Sequence, residues 1–292
     1  MIERGVCWST TVEPTINDKK SEDGTGAGDF TSSISGLEAN TTYYVRAYAT
    51  NSEGTSYGSV MSFTTEKAID YGVYTDTRDG TVYQTVKIGN QVWMAENLAY
   101  LPDVLGSYGF KRAGENRQPG YGVYGYIGDI VATAKVQTNY ATYGVLYNWY
   151  AVNTANFCPA GWHVPSDAEW TELENYLADS GYNYDGTKGG GRAKIAKSLA
   201  SRSGWTSTWN TGGVGNADYP EYRNKSGFSA LPGGFRDFNG SFDNISGVGY
   251  WWTATETSAS TAEGRGMVYG YSYVSRGSSV KESGFSVRCV RD

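Results

Sequence analysis

The chain has 292 residues and a formal net charge of −6, and its 25 tyrosines, 9 tryptophans and 39 glycines indicate short strands, many turns and a surface rich in Tyr and Ser. The acidic balance disfavours nucleic acid as a partner, because such a partner is bound by a basic stripe or patch. One histidine, His163, and three cysteines without C-x-x-C spacing give no support to a histidine-based triad, a histidine-rich metal site, a zinc site or thioredoxin-type chemistry.

The first 65 residues are predicted to be β structure throughout. Residues 5–9 form a short predicted strand, residues 19–28 a polar, glycine-rich loop, and residues 30–34 the start of another strand. From Tyr43 to Ala49 the side chains alternate between two faces, as a half-buried strand requires. No apolar run in the chain is long enough to span a bilayer, and the first residues lack the basic start and apolar centre of a signal peptide.

The segment around Tyr43 resembles the latter part of a fibronectin type III domain. The resemblance rests on Leu37, Thr41, Thr42, Tyr43 and the alternating stretch 45–49. It implies a tyrosine corner, in which the tyrosine hydroxyl bonds back to the backbone upstream. A full sandwich has about seven strands in roughly 100 residues, and about four are visible here. Residues 1–65 are therefore predicted to be a partial fibronectin type III or Ig-like β module. The chain is expected to begin inside a longer protein, so the signal peptide is presumed lost from this fragment.

Residues 66–75 are predicted to be a linker, and residues 76–292 a second domain. Residues 82–88 alternate between two faces and predict a strand. The Gly89-Asn90 pair after it suits a two-residue hairpin turn of type II′, in which glycine supplies the positive φ. Residues 101–140 are a long stretch rich in Gly and Tyr. Irregular segments of this length are often functional, and covering the core is the equally weighted alternative.

Helices are predicted in the middle of the chain. Ser166 and Glu169 have the spacing of a capping box, which starts a helix over residues 167–178. The inner face of this helix carries Trp170, Leu173 and Leu177. Residues 193–200 predict a second short helix, and residues 143–151 show helix-like spacing at Leu146, Trp149 and Tyr150.

The last third of the chain combines three apolar or aromatic blocks with one polar, tyrosine-rich passage. The blocks, residues 227–236, 249–256 and 284–291, are predicted to be scaffold, and the polar passage 265–281 is what the scaffold presents. Residues 205–224, before these blocks, are predicted to be a loop. Tyr, Ser, Gly and Arg dominate the passage. They also make up antibody paratopes, because Tyr gives a large contact area at a low entropy cost.

Three tyrosines of this passage have the period-two spacing that places side chains on one face of a strand. Arg276 follows at the next turn. Of Trp251 and Trp252 at most one can face a ligand, because adjacent strand residues point to opposite faces, and core packing is the default for both. A sheet face that is merely hydrated is the alternative to binding. The candidate ligand-binding residues are Trp252, Tyr269, Tyr271, Tyr273, Arg276 and Arg236.

Sequence blocks in a fixed order resemble the Fibrobacter succinogenes major paralogous domain. They lie at residues 79–98, 143–149, 158–166, 227–234, 251–256 and 284–289. The resemblance implies an α+β, C-type-lectin-like fold with few helices and short strands, related to the sulfatase-modifying-factor family. It also implies an extracytoplasmic protein of Bacteroidetes-like bacteria, often a lipoprotein and sometimes preceded by fibronectin-like modules. It implies no known activity. In that fold the segment before the closing strand, here residues 257–283, often carries the ligand face.

Cys158 and Cys289 are the candidate disulfide pair. An extracytoplasmic compartment permits the bond, which would join the region before the predicted helix to the last strand. Two buried free thiols are the alternative, and Cys7 is expected to be a small buried strand residue.

Catalytic and metal sites find weaker support. The kinship with the sulfatase-modifying-factor family suggests an oxidase, but those relatives use a closely spaced, copper-binding cysteine pair that this chain lacks. A glycosidase needs two carboxylates about 5–10 Å apart, and Asp237, Asp243 and Glu256 are acids in the right region. Asp237, Asn239 and Asp243 also offer oxygen ligands of the type that calcium takes. A turn rich in Asp and Asn is what a plain hairpin uses, and that is the preferred interpretation. His163 is expected to make a structural hydrogen bond.

The leading hypothesis is a non-enzymatic binding or adhesion module of the cell surface or outer membrane. Its expected partner is an extracellular protein or glycan, with no nucleic acid and, apart from the calcium candidate, no cofactor. The chain itself is predicted to carry no membrane span, and a lipid anchor in the full-length protein is compatible with this hypothesis. A structural surface component or adhesin without a discrete ligand site is the second hypothesis. A formylglycine-generating-like oxidase or a glycan hydrolase is the third.

Overall fold

The structure, a computed structural model, describes residues 2–65 and 68–292. These residues form an α+β fold that is mostly β, in which short helices lie among antiparallel strands of several sheets. The chain divides into two compact units, one ending at Ala68 and the other beginning at Ile69. Residues 66 and 67, the first two of the predicted linker, lie outside the described residues, as does Met1. No helix in the described part of the chain is long and apolar enough to cross a membrane.

The first unit is a five-stranded antiparallel sheet in the order β2-β1-β3-β4, with β5 also paired to β3. Its strands are β1 (Glu3–Ser9), β2 (Lys19–Lys20), β3 (Thr42–Asn51), β4 (Gly54–Tyr57) and β5 (Met61–Thr64). Tyr43 and Tyr48, on opposite faces of β3, are both buried, so the predicted alternation does not separate a core face from a solvent face. The Tyr43 hydroxyl accepts a hydrogen bond from the backbone N–H of Glu38, five residues upstream, at 3.1 Å.

The strand predicted at residues 30–34 is not formed. Arg4 holds the segment just before it, donating hydrogen bonds to the carbonyl oxygens of Gly26 at 2.9 Å and Gly28 at 3.2 Å. The same guanidinium lies 5.0 Å from the centroid of the Phe30 ring. The segment is therefore held by side-chain contacts where a strand would need a backbone ladder. Cys7 on β1 is a buried free thiol, as predicted.

The second unit contains the remaining strands and all the α-helices of the described residues. The strands are β6 (Tyr71–Thr75), β7 (Val82–Ile88), β8 (Gln91–Met94), β9 (Tyr121–Gly122), β10 (Leu146–Tyr147), β11 (Trp162–His163), β12 (Phe235–Arg236), β13 (Phe242–Asp243), β14 (Val248–Glu256), β15 (Thr261–Val268), β16 (Ser275–Val280) and β17 (Val290–Arg291). The helices are α1 (Ser107–Glu115), α2 (Val131–Lys135), α3 (Thr138–Tyr143), α4 (Trp149–Val152), α5 (Asp167–Asp179) and α6 (Ala196–Leu199). Two short 3₁₀ turns, Gly191–Ala193 and Pro220–Tyr222, complete the set.

Two larger sheets organise this unit. One has the strand order β11-β17-β8-β7-β6, and the other is the three-stranded β14-β15-β16. β7 and β8 form the predicted hairpin, with Gly89 at φ +61° between the paired residues Ile88 and Gln91. β6 lies within the predicted linker and pairs with β7, Tyr71 facing Val86, so this part of the segment is an edge strand.

The helix α5 is formed as predicted. The Ser166 side chain accepts a hydrogen bond from the Glu169 N–H and the Glu169 side chain accepts one from the Ser166 N–H, which together make the capping box. Trp170, Leu173 and Leu177 are buried on its inner face. The predicted helix at residues 193–200 is a 3₁₀ turn followed by α6.

Two other segments differ from the prediction. Residues 143–151 contain the end of α3, the strand β10 and the start of α4, so the helix-like spacing there belongs to three elements. The stretch 101–140 is more regular than expected, because it contains α1, β9, α2 and most of α3. Phe110 of α1 and Ala134 of α2 are buried, so this stretch adds to the core.

The core has two hydrophobic clusters, and the neighbouring Trp251 and Trp252 each enter a different one. Trp251 packs with Trp170, their ring centroids 6.5 Å apart, whereas Trp252 stacks on Phe285 at 4.4 Å. Adjacent strand residues point to opposite faces, which explains the division. A disulfide joins Cys158 to Cys289 across 131 residues of sequence, as predicted.

Candidate ligand-binding surface

The tyrosine loop, defined here as residues 269–274, connects β15 to β16. Its three tyrosines are partly exposed, Tyr269 by 37%, Tyr271 by 47% and Tyr273 by 41%. The rings of Tyr271 and Tyr273 stack nearly in parallel, with centroids 5.0 Å apart and planes 18° from each other. The prediction that they share a strand face is wrong, because the β15–β16 ladder ends at the Gly266–Ser275 pair and a turn follows. Stacking in a turn nevertheless brings two of the rings together.

The backbone of the tyrosine loop is hydrogen-bonded on both sides. On one side its carbonyl oxygens accept from the backbone N–H groups of Gly215 at 2.7 Å and Val214 at 3.1 Å. On the other side the carbonyl oxygen of Ser272 accepts from Ala196, and the N–H of Val274 donates to Arg192. These bonds involve main-chain atoms only. The loop is therefore held in place without using its tyrosine side chains.

The tryptophan segment, residues 206–216, lies beside the tyrosine loop and carries Trp209, whose side chain is 97% exposed. The Asn210 side-chain amide donates to the Gly270 carbonyl oxygen at 2.9 Å, which ties the two segments together. The sequence prediction treated this region as a loop and missed Trp209. A lone tryptophan in the polar run Ser-Thr-Trp-Asn-Thr is the signal that could have found it, because a ring with no apolar neighbours in sequence has no evident core to enter.

Lys197 anchors the tryptophan segment from inside. Its side chain is fully buried, and its ammonium donates to the carbonyl oxygen of Asn216 at 2.9 Å and to the backbone and carboxylate oxygens of Asp218. Burial lowers the pKa of Lys197, while the Asp218 carboxylate raises it, and the net shift is downward. The second carboxylate oxygen of Asp218 accepts from the Gly212 N–H at 2.7 Å, inside the segment.

A groove of about 590 Å³ adjoins the tyrosine loop. Its walls are α5, the turn at residues 190–193 and the start of β16. The side chains that line it include Glu174, Asn175, Arg192, Tyr273, Ser275 and Arg276. The predicted candidates Tyr273 and Arg276 therefore line the same concave site. Volumes of about 300–1,000 Å³ are usual for small-molecule sites.

Ion pairs link the groove-lining residues Glu174 and Arg276 to charged residues that do not line the groove. Arg265 is fully buried and donates to Glu174 at 2.7 Å and to Asp167 at 2.8 Å. Arg276 binds the other oxygen of Asp167 at 2.6 Å. Burial raises the pKa of Glu174, and the positive charge of Arg265 opposes that rise without cancelling it. The predicted site residue Arg276 thus lies at the groove with part of its charge already neutralised.

Two of the predicted ligand-binding residues are buried and cannot face a ligand. Trp252 is fully buried, and its indole N–H donates to the Tyr147 carbonyl oxygen at 2.8 Å. Arg236 is also fully buried, with its guanidinium 4.3 Å from the Phe110 ring centroid and 4.5 Å from that of Phe242. Burial lowers the pKa of Arg236 to about 10. Both residues belong to the scaffold.

The calcium candidates lie at the hairpin of β12 and β13. Asp237, Asn239 and Asp243 each accept a hydrogen bond from a nearby backbone N–H, at 2.8, 2.8 and 2.7 Å. Their side chains thus accept hydrogen bonds within the turn. Across residues 2–65 and 68–292, no three His, Cys, Asp or Glu side chains are grouped so that they could hold a metal ion. Glu256, the third acid considered for hydrolysis, is paired with Lys281 at 2.6 Å.

His163 makes the structural hydrogen bonds that were predicted. Its Nε2 lies 2.7 Å from Glu169 of the capping box, and its Nδ1 lies 2.6 Å from Asp292. Burial lowers the pKa of His163, but the two carboxylates raise it, and the net shift is upward. The imidazole therefore connects the start of α5 to the last residue of the sequence.

The family model of the Fibrobacter succinogenes major domain matches residues 86–291 of the chain. That range contains the tyrosine loop, the tryptophan segment, the groove and the disulfide. No curated protein and no solved structure matches the chain.

Proposed function

The chain belongs to the Fibrobacter succinogenes major domain family, and we propose that it is a non-enzymatic binding module of the cell surface. In this proposal residues 76–292 are a C-type-lectin-like domain, related to the sulfatase-modifying-factor fold. Residues 1–65 are a fibronectin type III-like spacer ahead of it. The disulfide supports an extracytoplasmic location for the protein, because such bonds persist mainly in oxidising compartments. The upstream hydrogen bond of Tyr43 supports the fibronectin-like assignment.

The tyrosine loop is the observation that carries the proposal. Its backbone is held by main-chain hydrogen bonds to two other segments, while Tyr269, Tyr271 and Tyr273 remain partly exposed. A surface that is ordered before binding loses little conformational entropy when a ligand arrives. Tyrosine adds large contact area with only two rotatable side-chain bonds. The combination favours recognition of an extracellular glycan or protein at this face.

Trp209 extends the same surface. A fully exposed indole on an ordered segment is unusual among large apolar side chains, and tryptophan is enriched among the residues that dominate binding energy. The hydrogen bond between Asn210 and Gly270 ties the residue after Trp209 to the tyrosine loop. We therefore include Trp209 in the proposed face, and we exclude the buried Trp252 and Arg236.

Binding to a glycan array and to extracted surface proteins tests the proposal. The double variant Tyr271→Ala/Tyr273→Ala is expected to lose at least about tenfold in affinity, and Trp209→Ala a similar amount, since residues at the centre of such a face cost about 2 kcal/mol or more on truncation. Tyr108→Ala is the matched control, because Tyr108 is 75% exposed on α1 and outside this face. Its binding should equal that of wild type.

Folding must be measured on the same variants. The free energy of unfolding should change by less than about 1 kcal/mol in each, because the loop backbone does not depend on these side chains. Equal binding by wild type and both face variants would remove this surface as the ligand site. An array and an extract that yield no ligand at all would favour the structural-component hypothesis.

A further inference from the structure

The groove beside the tyrosine loop carries one arginine whose hydrogen-bond donors have no partner among the described residues. Asp167 is bound by Arg265 and Arg276, Glu174 is bound by Arg265, and Glu263 lies 3.6 Å from Arg276. Each carboxylate that faces these arginines thus has a partner. Arg192, in the turn at residues 190–193, is exposed and has no side-chain hydrogen bond or ion pair to any residue that the structure describes. These three carboxylates outnumber the two arginines by one, and the positive charge of Arg192 also opposes the rise in the pKa of Glu174. The N–H donors of Arg192 remain available to a ligand.

Tyr273 forms an aromatic wall of the same groove. It is stacked against Tyr271, so the ring is supported from one side and has a defined orientation. A phenol face suits the C–H face of a pyranose ring, which is apolar although the ring edge is polar. The wall therefore selects for a flat ligand with one apolar face.

The other polar groups that line the groove can both donate and accept hydrogen bonds. The Asn175 amide has both a donor and an acceptor, and it is exposed at the groove. The Ser275 hydroxyl donates to the Gly266 carbonyl oxygen at 3.1 Å, which leaves its oxygen free to accept. Sugar hydroxyls donate and accept at once, so they can pair with both kinds of group. This mixture suits a saccharide.

We propose that the groove binds an acidic sugar residue, such as the uronate of an extracellular polysaccharide. In this arrangement the carboxylate binds Arg192, the ring lies on Tyr273, and the hydroxyls bond to Asn175 and Ser275. A guanidinium matches a carboxylate through two parallel hydrogen bonds, which distinguishes the acid from its neutral ester. The inference rests on the proposed binding function and names its ligand class.

Calorimetric titration with trigalacturonic acid and with its fully methyl-esterified form tests this assignment. Wild type should bind the acid about tenfold or more tightly than the ester, because a hydrogen-bonded contact to a charged group is worth that factor. Arg192→Gln should bind both forms alike, at the affinity wild type shows for the ester. Tyr273→Ala should weaken both forms. Arg202→Gln is the control, since Arg202 is likewise exposed and does not line the groove.

The outcomes separate this inference from the proposed function. Equal affinity of wild type for acid and ester, or a preference for the acid that survives in Arg192→Gln, would overturn the acidic-sugar assignment. Arg192-dependent binding of a hexaglutamate peptide with none of the trisaccharide would also overturn it, in favour of an acidic protein segment. If neither trisaccharide binds while the Tyr271→Ala/Tyr273→Ala variant loses another ligand on the array, the inference fails and the binding function stands.

Discussion

The imidazole of His163 is held between two carboxylates, one from a helix cap and one from the last residue. Its side chain is 40% exposed, so both interactions are partly screened by water. The pKa of His163 is lowered by burial and raised by hydrogen bonds to Asp292 and Glu169, with a net upward shift in the folded state. A group of this kind stabilises the fold while it is charged. It is also the only histidine in the sequence, which makes its titration easy to isolate.

We predict that this histidine makes stability fall as the pH rises through neutrality. Because the folded pKa exceeds the unfolded value of about 6.5, the stabilisation is complete below that pH and is lost as the pH rises through the folded pKa. Partial exposure limits the effect to about 1 kcal/mol or less. Urea unfolding of wild type and His163→Gln between pH 5 and 9 should show the decline in wild type only. Parallel profiles for the two proteins would contradict the prediction.

At the residue scale, the sequence predicted which face of a strand a side chain occupies, but it predicted burial only in part. Period-two spacing correctly divided Trp251 from Trp252 between opposite faces, because that depends on local strand geometry alone. It could not show that both faces are covered, since the covering residues, such as Trp170 and Phe285, come from distant segments. Arg236 was misassigned for the same reason, and its charge gave no hint that two phenylalanine rings enclose it.

At the scale of elements, side-chain caps decide which helices the sequence reveals. α5 begins at Ser166 with a full capping box, and its limits were predicted to within one residue. α1, α2 and α3 begin after Gly106, Ile130 and Gln137, and none of them has a side-chain cap hydrogen bond. They are short as well, so their stability comes from tertiary packing more than from local signals. The stretch 101–140 therefore appeared irregular in sequence.

In the tyrosine loop, by contrast, the sequence predicted a regular element that does not form. Alternation at Tyr269, Tyr271 and Tyr273 predicts a strand, yet the segment forms a turn. Its backbone groups find partners in residues 192–196 and 214–215, which lie far away in sequence and cannot be inferred from local spacing. The exposure of the three side chains was nevertheless anticipated from their polar context. The sequence thus located the candidate surface but not its backbone geometry.

The tryptophan segment should depend on the buried ammonium of Lys197. We predict that Lys197→Met lowers the free energy of unfolding by about 1–3 kcal/mol, because the carbonyl oxygens of Asn216 and Asp218 lose a charged donor in a buried site. Amide hydrogen exchange in residues 206–216 should accelerate. Binding of the array ligand through Trp209 should weaken in parallel, since the backbone that carries the ring would no longer be held in one position.

A lysine nearby serves as the control for that prediction. Lys194 pairs with Asp185 at 2.6 Å, but its side chain is 41% exposed. Lys194→Met should therefore change the free energy of unfolding far less than Lys197→Met does, and it should leave exchange in residues 206–216 unchanged. Equal effects of the two substitutions would show that burial of Lys197 does not determine the order of the tryptophan segment.

At the scale of the whole second unit, the closing strand is held by both covalent and packing contacts. β17 lies between β11 and β8, and the Cys289 just before it is bonded to Cys158. Arg288, also fully buried, donates to the carbonyl oxygen of Ser229 at 2.8 Å and to the side chain of Asn97 at 3.0 Å. The C-terminal segment thus binds parts of the chain that are far apart in sequence, and it supports the scaffold from which the tyrosine loop extends.

Breaking the disulfide should therefore weaken this unit strongly. In the chain-entropy account, closing a loop of 131 residues lowers the entropy of the unfolded state and so stabilises the fold by about 4–5 kcal/mol, less any strain in the native bond. Cys158→Ala/Cys289→Ala should lower the free energy of unfolding, measured by tryptophan fluorescence in urea, by an amount of that order. Thiol titration of the denatured wild type should find the one thiol of Cys7 without reductant and three thiols after reduction. Three thiols before reduction would contradict the bond itself. One thiol together with an unchanged unfolding curve in the variant would contradict the entropic account of its effect.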